Sequence, residues 1–337
     1  MKKILSLALV VCMVSVFMVG CSKEKGASSQ SGKAKVMKVT SVNQKDRALS
    51  IGLEKFAEIV NKEAGGSLKV EVYHDSVLGG ERQILEGIQM GTIQGGLVST
   101  AITGTIIPHM SAFELPFLFK DKATAFKVLD GPIGQDILKE LPAKKIIGFG
   151  YWDSGFRHLS NSTREVKTLE AMSGLKVRTM ESKVHVSTWK TLGVNPTPMA
   201  FNQLYSALEQ KVVDGQENPA VIIKTNKINE VQKYLTTTGH VYSSSPFMVS
   251  KSFWDSLTDK EKDIITKAEK EVRAFERDLN DKQDAQCLVD LAKSGMNVTD
   301  LNPGEKEKIV AKLQPVYKEF AASIGEDFVN QLLAAVK

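Results

Sequence analysis

Apolar positions along the chain switch repeatedly between strand-like and helix-like spacing. Val36–Asn43 reads as a strand, and Arg47–Glu63 as an amphipathic helix with Ile51, Phe56, Ile59 and Val60 on one side, closed by Gly65-Gly66. Leu68–Tyr73 alternates as a strand. Glu81–Met90 is a helix with Ile84, Leu85 and Ile88 inward, and Ile93–Ser99 is a strand. Asp121–Leu129 is a helix stopped at Asp130-Gly131-Pro132, and Gln135–Leu141 is a second, ended by Pro142. Lys145–Phe149 is again a strand. Strands alternating with helices predict an α/β fold, with a largely parallel or mixed sheet covered by helices on both faces.

The second half repeats the style. Phe156–Ser160 and Leu175–Thr179 read as strands, and Ser182–Leu192, Phe201–Gln210 and Pro219–Asn226 as helices. Tyr234–Thr238 and Phe247–Ser250 are two strands free to return to either sheet. From Asp259 to about Ser294 the pattern becomes one long helix rich in Lys and Glu, roughly 50 Å at 1.5 Å per residue. Helices at Pro303–Ile324 and Glu326–Val336 close the chain.

The beginning of the chain has a different character. Lys2 and Lys3 precede an apolar run, Ile4 to Val19, which has the basic and apolar regions of a secretory signal. The run ends at Met18-Val19-Gly20-Cys21, which resembles a bacterial lipobox and implies cleavage before Cys21 and its lipidation. An uncleaved anchor is the competing assignment, but the run is shorter than the roughly 20 residues that span a bilayer. Residues 21–35 then form the lipidated Cys and a flexible tether with nothing apolar to bury.

Composition changes this picture little. The formal net charge of +5 resides in the signal and tether, so residues 36–337 sum to zero and the basic balance does not point to nucleic acid. The tether lysines are suited to anionic headgroups, and equally to plain solubility. Beyond residue 35 Cys287 is the one cysteine, which excludes an internal disulfide there; no CxxC or Cys/His cluster suggests zinc. The five histidines are scattered without HExxH spacing, and no GxGxxG, Walker A or GxSxG sequence occurs. No cofactor or metal is expected.

The most specific stretch is Gly174 to Pro219. It holds Leu175-Lys176-Val177-Arg178-Thr179, a Pro-rich turn, Met199-Ala200-Phe201, and Val213-Asp214-Gly215-Gln216-Glu217-Asn218-Pro219. Leu78-Gly79-Gly80-Glu81-Arg82, Glu114-Leu115-Pro116-Phe117-Leu118-Phe119 and Gly155-Phe156-Arg157-His158 extend the pattern. In order and spacing these segments resemble the solute-binding proteins of TRAP transporters, the DctP-like family. The resemblance implies a two-lobe, periplasmic-binding-protein-like α/β fold, each lobe a mixed sheet flanked by helices, with a long helix spanning both. It implies a signal peptide at 1–20, lobe one at 36–152 plus 239–282, and lobe two at 153–238 plus 283–337. It also implies a receptor that captures a small organic acid in an interlobe cleft and delivers it to the small and large membrane subunits of a transporter.

The resemblance assigns Arg178 to a ligand carboxylate. A planar guanidinium suits that task because it donates two parallel hydrogen bonds. Arg157 matches a second family arginine; an ion pair with an acid such as Asp153 is its alternative. Asn218 matches a ligand-contacting Asn and is also placed to cap the following helix, with Pro219 at its first position. Phe201 matches an aromatic of the cleft, with core packing as the alternative. On the facing lobe, Asn43 ends a strand, and Glu81 starts a helix where the dipole also favours it. Ser99, Trp152 and His185 are weaker ligand candidates, read first as structural. A carboxylate near the ligand disfavours a second ligand carboxylate, so Glu81 favours a sugar acid such as a hexuronate over a C4-dicarboxylate. A lipid-anchored enzyme acting on a carboxylated substrate is the alternative of a different class.

Overall fold

The computed structural model describes residues 34–337; the expected signal and lipidated Cys21 lie outside the described residues. Among the described residues nine strands form one hydrogen-bonded sheet: β1 Lys35–Thr40, β2 Leu68–Tyr73, β3 Gly95–Leu97, β4 Ile146–Asn161, β5 Lys176–Thr179, β6 Asn195–Pro198, β7 Gly215–Asn218, β8 Tyr234–Ser250 and β9 Asn297–Thr299. Their order is β2-β1-β3-β8-β4-β7-β5-β6, with β9 also on β8. At one end β1 runs parallel to β2 and β3; at the other β5 runs parallel to β6 and β7. Between these parallel sets lie the two long strands β4 and β8, antiparallel to each other and common to both lobes.

The two long strands account for several differences from the sequence reading. Lys145–Phe149 and Phe156–Ser160 are parts of one strand, as are Tyr234–Thr238 and Phe247–Ser250. Gly150, Gly155, Gly239 and Pro246 interrupt the apolar pattern but not the strands. Their pairing shifts register between Gly148 and Tyr151, between Asp153 and Gly155, and between Arg157 and Leu159. Pro246 pairs opposite Tyr151 beside the first irregularity, where a missing N–H is tolerated. Gly155 takes φ +96° at the second, a conformation that side chains resist.

Three short strands went unread, β6, β7 and β9, the first two because their residues are polar or proline and the third because it is only three residues long. β6 has the sequence NPTP and lies at the sheet's edge, where proline costs no ladder bond on its outer side. β7 has the sequence GQEN, yet all four residues are buried between β4 and β5. The helix expected at Gln135–Leu141 begins earlier, at Pro132, because proline fits the first helical turn. Phe201–Gln203 is a 3₁₀ turn leading into helix Leu204–Glu209.

Helix Asp259–Lys293 opens with a reciprocal capping box, Thr258 with Glu261, and ties the two halves together. Its Ile265, Ala268 and Val272 pack into one core with Leu49, Leu53 and Phe56 of helix Ala48–Glu63. Its Cys287 and Leu291 join a second core with Leu204, Val221 and Ile223. Burial lifts the Cys287 thiol to about 11, so it behaves as a small apolar group. A third core on the opposite sheet face draws residues from both halves, from Ile84 and Phe113 to Val177, Trp189 and Val316. No described helix is long and apolar enough to cross a membrane.

Candidate functional site

The carboxyl ends of both parallel strand sets point to the same place, the position where open α/β sheets hold ligands. Val42 and Asn43 follow β1, and Arg47 stands just before helix Ala48–Glu63. Glu81 begins helix Glu81–Met90, and Ser99 caps the short helix Thr100–Thr103 after β3. From the other side come Arg178 in β5, Phe201 beyond β6, and Asn218 at the end of β7; Arg157 projects from β4. These residues line one cavity, with Ser154, Met180, Ile222, Ser243 and Ser245. Its volume, traced by the centre of a water-sized sphere, is ≈ 40 Å³. That is far below the roughly 300–1,000 Å³ of pockets for drug-sized ligands. A wider groove of ≈ 980 Å³ lies elsewhere, but its charged residues Arg82, Glu181, Lys183, Lys190 and Glu319 all remain in contact with solvent. The small cavity is the better candidate because its charges are buried and its donors are not all used.

Arg178 is 2% exposed. Its Nε and Nη2 both donate to the carbonyl oxygen of Met199, at 3.0 and 2.8 Å. Nη1 has no partner among the described residues. One edge of the guanidinium is therefore spent on backbone, while the Nη1–Nη2 end stays available for a carboxylate. Burial lowers its pKa to about 10, partly opposed by Glu217. No described carboxylate forms an ion pair with it. The Phe201 ring lies 5.9 Å from the guanidinium carbon, a cation–π distance.

Arg157 is differently satisfied. Its Nε reaches Glu217 Oε2 at 2.5 Å, and Nη2 reaches Glu217 Oε1 at 2.9 Å, the Glu217 carbonyl at 2.6 Å and Asn218 Oδ1 at 3.1 Å. Nη1 donates to Ser243 Oγ at 3.3 Å. The acid it pairs with is Glu217 and not Asp153, whose carboxylate receives Lys122, Asn280 and Tyr242 instead. Burial works against the Arg157 charge, but Glu217, with Glu114 and Glu81 behind it, raises the pKa overall. Burial likewise opposes the Glu217 charge; Arg157, with a hydrogen bond from His240 and the His185 ring nearby, holds that carboxylate well below its ordinary range.

Glu81 accepts from the Ser99 amide at 2.7 Å and the Ser99 hydroxyl at 3.0 Å. It keeps some exposed surface but sits deep enough that burial raises its pKa, against the pull of the Ser99 bonds. Asn43 is buried and accepts from Arg47. Asn218 does not cap a helix: Pro219 takes that position, and the Asn218 side chain donates to Gln216 Oε1 while accepting from Arg157.

Two of the weaker candidates stand away from the cavity. Trp152 is fully buried, stacked on Phe247 at 5.9 Å and 18°, with Nε1 donating to Glu269 at 3.1 Å. It faces the core shared with helix Ala48–Glu63, while Tyr151 before it faces the core on the other side of the sheet. His185 is 1% exposed, with Nε2 2.7 Å from Glu114 Oε2 and Nδ1 3.6 Å from Glu217 Oε1. Burial pushes its pKa down, but the two carboxylates raise it overall. Ser99 does line the cavity and holds Glu81 there.

Sequence reasoning missed Arg47. It is 1% exposed, donates through Nη1 to Asn43 Oδ1 and through Nη2 to the Ser154 carbonyl at 3.1 Å, and leaves Nε without a partner among the described residues. Burial lowers its pKa to about 10. One signal was present: an arginine directly ahead of a helix stands where the dipole disfavours a cation.

The lobes meet over this cavity. The Gly79-Gly80 loop approaches Ala200 and Asn202, and Arg82 pairs with Glu181 at 3.3 Å.

A model of the family described as bacterial extracellular solute-binding protein, family 7 (DctP), matches residues 39–323. A solute-binding protein of Verminephrobacter eiseniae is 39% identical over 285 residues, 85% of this chain and 84% of the relative. Among solved structures, the sugar acid binding protein of Advenella mimigardefordensis in complex with galactonate aligns with a TM-score of 0.88 and 38% identity, over 90% of this chain and 98% of that one. A TRAP periplasmic solute binding protein from Sulfurospirillum deleyianum with bound succinate aligns with a TM-score of 0.87 and 32% identity, over 91% and 100%.

Proposed function

The chain belongs to family 7 of the bacterial extracellular solute-binding proteins, the TRAP type, and from that premise we propose that it captures a polyhydroxylated monocarboxylate, a sugar acid, between its lobes. The observation that carries this reading is the pairing of opposites in one buried cavity. On one side is Arg178, a guanidinium with a free end and no carboxylate partner. On the other is Glu81, a carboxylate whose two oxygens each accept one bond from Ser99 and keep further lone pairs. A ligand carboxylate satisfies the first, and ligand hydroxyls donate to the second. A second ligand carboxylate placed near Glu81 meets like charge. The free N–H of Arg47 favours the alternative ligand class, a C4-dicarboxylate with one carboxylate on each arginine.

Capture proceeds by closure. The open protein offers Arg178, Arg157, Asn218 and Phe201 on lobe two, 153–238 plus 283–337. Lobe one, 36–152 plus 239–282, brings Asn43 and Glu81 across. Closure requires only that the acid bind the closed arrangement better than the open one. The closed form then delivers its load to the membrane subunits of a TRAP transporter, while Cys21 and the tether after it, which ends where Lys35 opens β1, anchor the receptor at the membrane surface. We read the site as one for binding, in keeping with the solute-binding family the chain belongs to.

A thermal-shift panel of hexonates, hexuronates, sialic acid, C4-dicarboxylates and simple monocarboxylates tests the reading on protein stripped of bound acid by unfolding and refolding. A ligand at about 100 times its dissociation constant stabilises by about 2.7 kcal/mol. Stabilisation by sugar acids supports the proposal. Stabilisation by succinate alone transfers it to the dicarboxylate, and no shift with any carboxylate refutes both.

A further inference from the structure

We propose that His185 is a positioning residue for the cavity: it holds a proton between Glu114 and Glu217, and through Glu217 that proton keeps Arg157 set for an anionic ligand. The inference rests on the reading of the cavity as a carboxylate site and adds a linked proton to it.

His185 stands in a chain of buried groups drawn from five elements. It belongs to helix Lys183–Thr191. Its Nε2 lies 2.7 Å from Oε2 of Glu114, the last residue of the 3₁₀ turn Pro108–Glu114, and its Nδ1 lies 3.6 Å from Oε1 of Glu217 in β7. Glu217 receives Arg157 of β4 on both oxygens and meets His240 of β8 at 3.1 Å. Of these five residues only Arg157 lines the cavity.

The two histidines have different needs. His240 turns Nε2 to Glu217 and Nδ1 to the Thr238 hydroxyl at 2.8 Å. One ring proton serves it, given to Glu217, because the hydroxyl can donate to the other nitrogen. Burial lowers its pKa accordingly. His185 turns each nitrogen to a carboxylate. A neutral ring has a single N–H, which leaves a lone pair facing one of the two acids; an imidazolium donates toward both. The charges agree. Glu114 and Glu217 are two anions against the one cation of Arg157, and a proton on His185 makes the buried set neutral. Glu81 and Arg178, the next charges in reach, add one of each sign. The two carboxylates raise the His185 pKa against its burial. Other charged groups on the packed elements are engaged elsewhere. Lys318 and Glu319 on helix Gln314–Ile324 are exposed, as are Lys183 and Lys190 on its own helix, and His109 pairs with Glu140.

Loss of the proton leaves an uncompensated negative charge behind Arg157 and a lone pair against Glu217, whose two oxygens fix the Arg157 fork. Like charge then opposes an incoming carboxylate. Affinity for an anion therefore falls as pH rises through the His185 pKa. By reciprocity the bound anion raises that pKa and draws a proton in.

The test has two arms, from pH 6 to 10. Ring-nitrogen NMR shifts follow His185 in the unliganded protein. Calorimetric titration of D-galactonate and of succinate, in buffers of different ionisation enthalpy, follows wild type, His185→Gln and Glu114→Gln. The ring is expected to be protonated at neutral pH. Wild-type affinity is expected to fall as the ring titrates, by at most about tenfold per pH unit because one proton is linked, with proton uptake on binding. His185→Gln is expected to lose this dependence. Glu114→Gln keeps the histidine and serves if the first variant does not fold; it is expected to move the ring titration and the fall in affinity together to lower pH. A ring that is neutral at pH 7 overturns the proposal. So does affinity that stays flat while the ring titrates, or that falls as steeply in His185→Gln; either leaves the carboxylate reading standing. Binding of no acid by wild type refutes that reading instead, and the ring titration still decides whether His185 holds the proton.

Discussion

Glu217→Gln removes one charge from the centre of the buried network and leaves its shape intact. In the wild type Glu217 receives Arg157 through Nε at 2.5 Å and Nη2 at 2.9 Å, and stands 3.1 Å from His240 Nε2. It is fully buried, as is Arg157 nearly so. Taking one partner from a buried ion pair costs about 3–5 kcal/mol, because the remaining charge is left without compensation. Unfolding entropy of about 2.1 cal/mol/K per residue makes each kcal/mol worth roughly 1.5 °C in a chain of this length. The expected fall in melting temperature is thus about 5–8 °C, followed by circular dichroism. The double variant Arg157→Met/Glu217→Gln checks the cause: removing the stranded cation is expected to recover part of the loss. A single variant melting within about 1 °C of wild type refutes the reasoning, as does a double variant whose cost is the plain sum of the two singles.

Stability is also expected to depend on pH through His185. Its folded pKa is raised, so its contribution is fully present below about pH 6.5 and is lost as pH rises through the higher folded value. Melting temperatures between pH 6 and 9 should decline in the wild type, and His185→Gln should lose that decline; an unchanged slope counts against the double carboxylate contact. His158 acts in the opposite sense. Burial holds it at about 4, so it favours folding increasingly as pH rises from there toward its unfolded value, and an NMR titration should find its ring neutral at pH 5.5. Trp152→Phe should cost about 1–3 kcal/mol through the lost bond to Glu269, yet leave ligand affinity within twofold. A large affinity loss would return Trp152 to the site.

How far the sequence reveals this molecule depends on whether local pattern or tertiary pairing places a residue. Helix Glu81–Met90 is readable residue for residue, because Gly80 precedes it, its apolar positions share one face, and Gly91 ends it in the left-handed conformation. The long helix is readable for the same reason, from its capping Thr258 to its last lysine. β7 is not, because its buried residues include Gln216, Glu217 and Asn218, which are covered only once β4 and β5 flank them. The same holds for the site. Arg178, Arg157, Asn218, Phe201, Asn43, Glu81 and Ser99 are brought to one cavity from seven separate stretches of chain. Arg47 escaped notice because it reads simply as the first residue of the helix Arg47–Glu63, behind the polar Gln44-Lys45-Asp46. Its burial comes from Ser154, more than a hundred residues away in the chain. Glu217 was visible as a letter in a motif, but its role appears only with the opposing strand that supplies Arg157.

The most direct test of the account compares Arg178→Ala with wild type by calorimetric titration of whichever acid binds most tightly in the panel. The fork that Arg178 leaves free predicts a loss on the order of 2–5 kcal/mol in binding, not restored by Arg178→Lys. Because the wild-type guanidinium is buried with only the Met199 carbonyl to hold it, melting of the unliganded Ala variant should be unchanged or higher. Lost binding in a fold at least as stable is the result this account predicts. Affinity within threefold of wild type would contradict it.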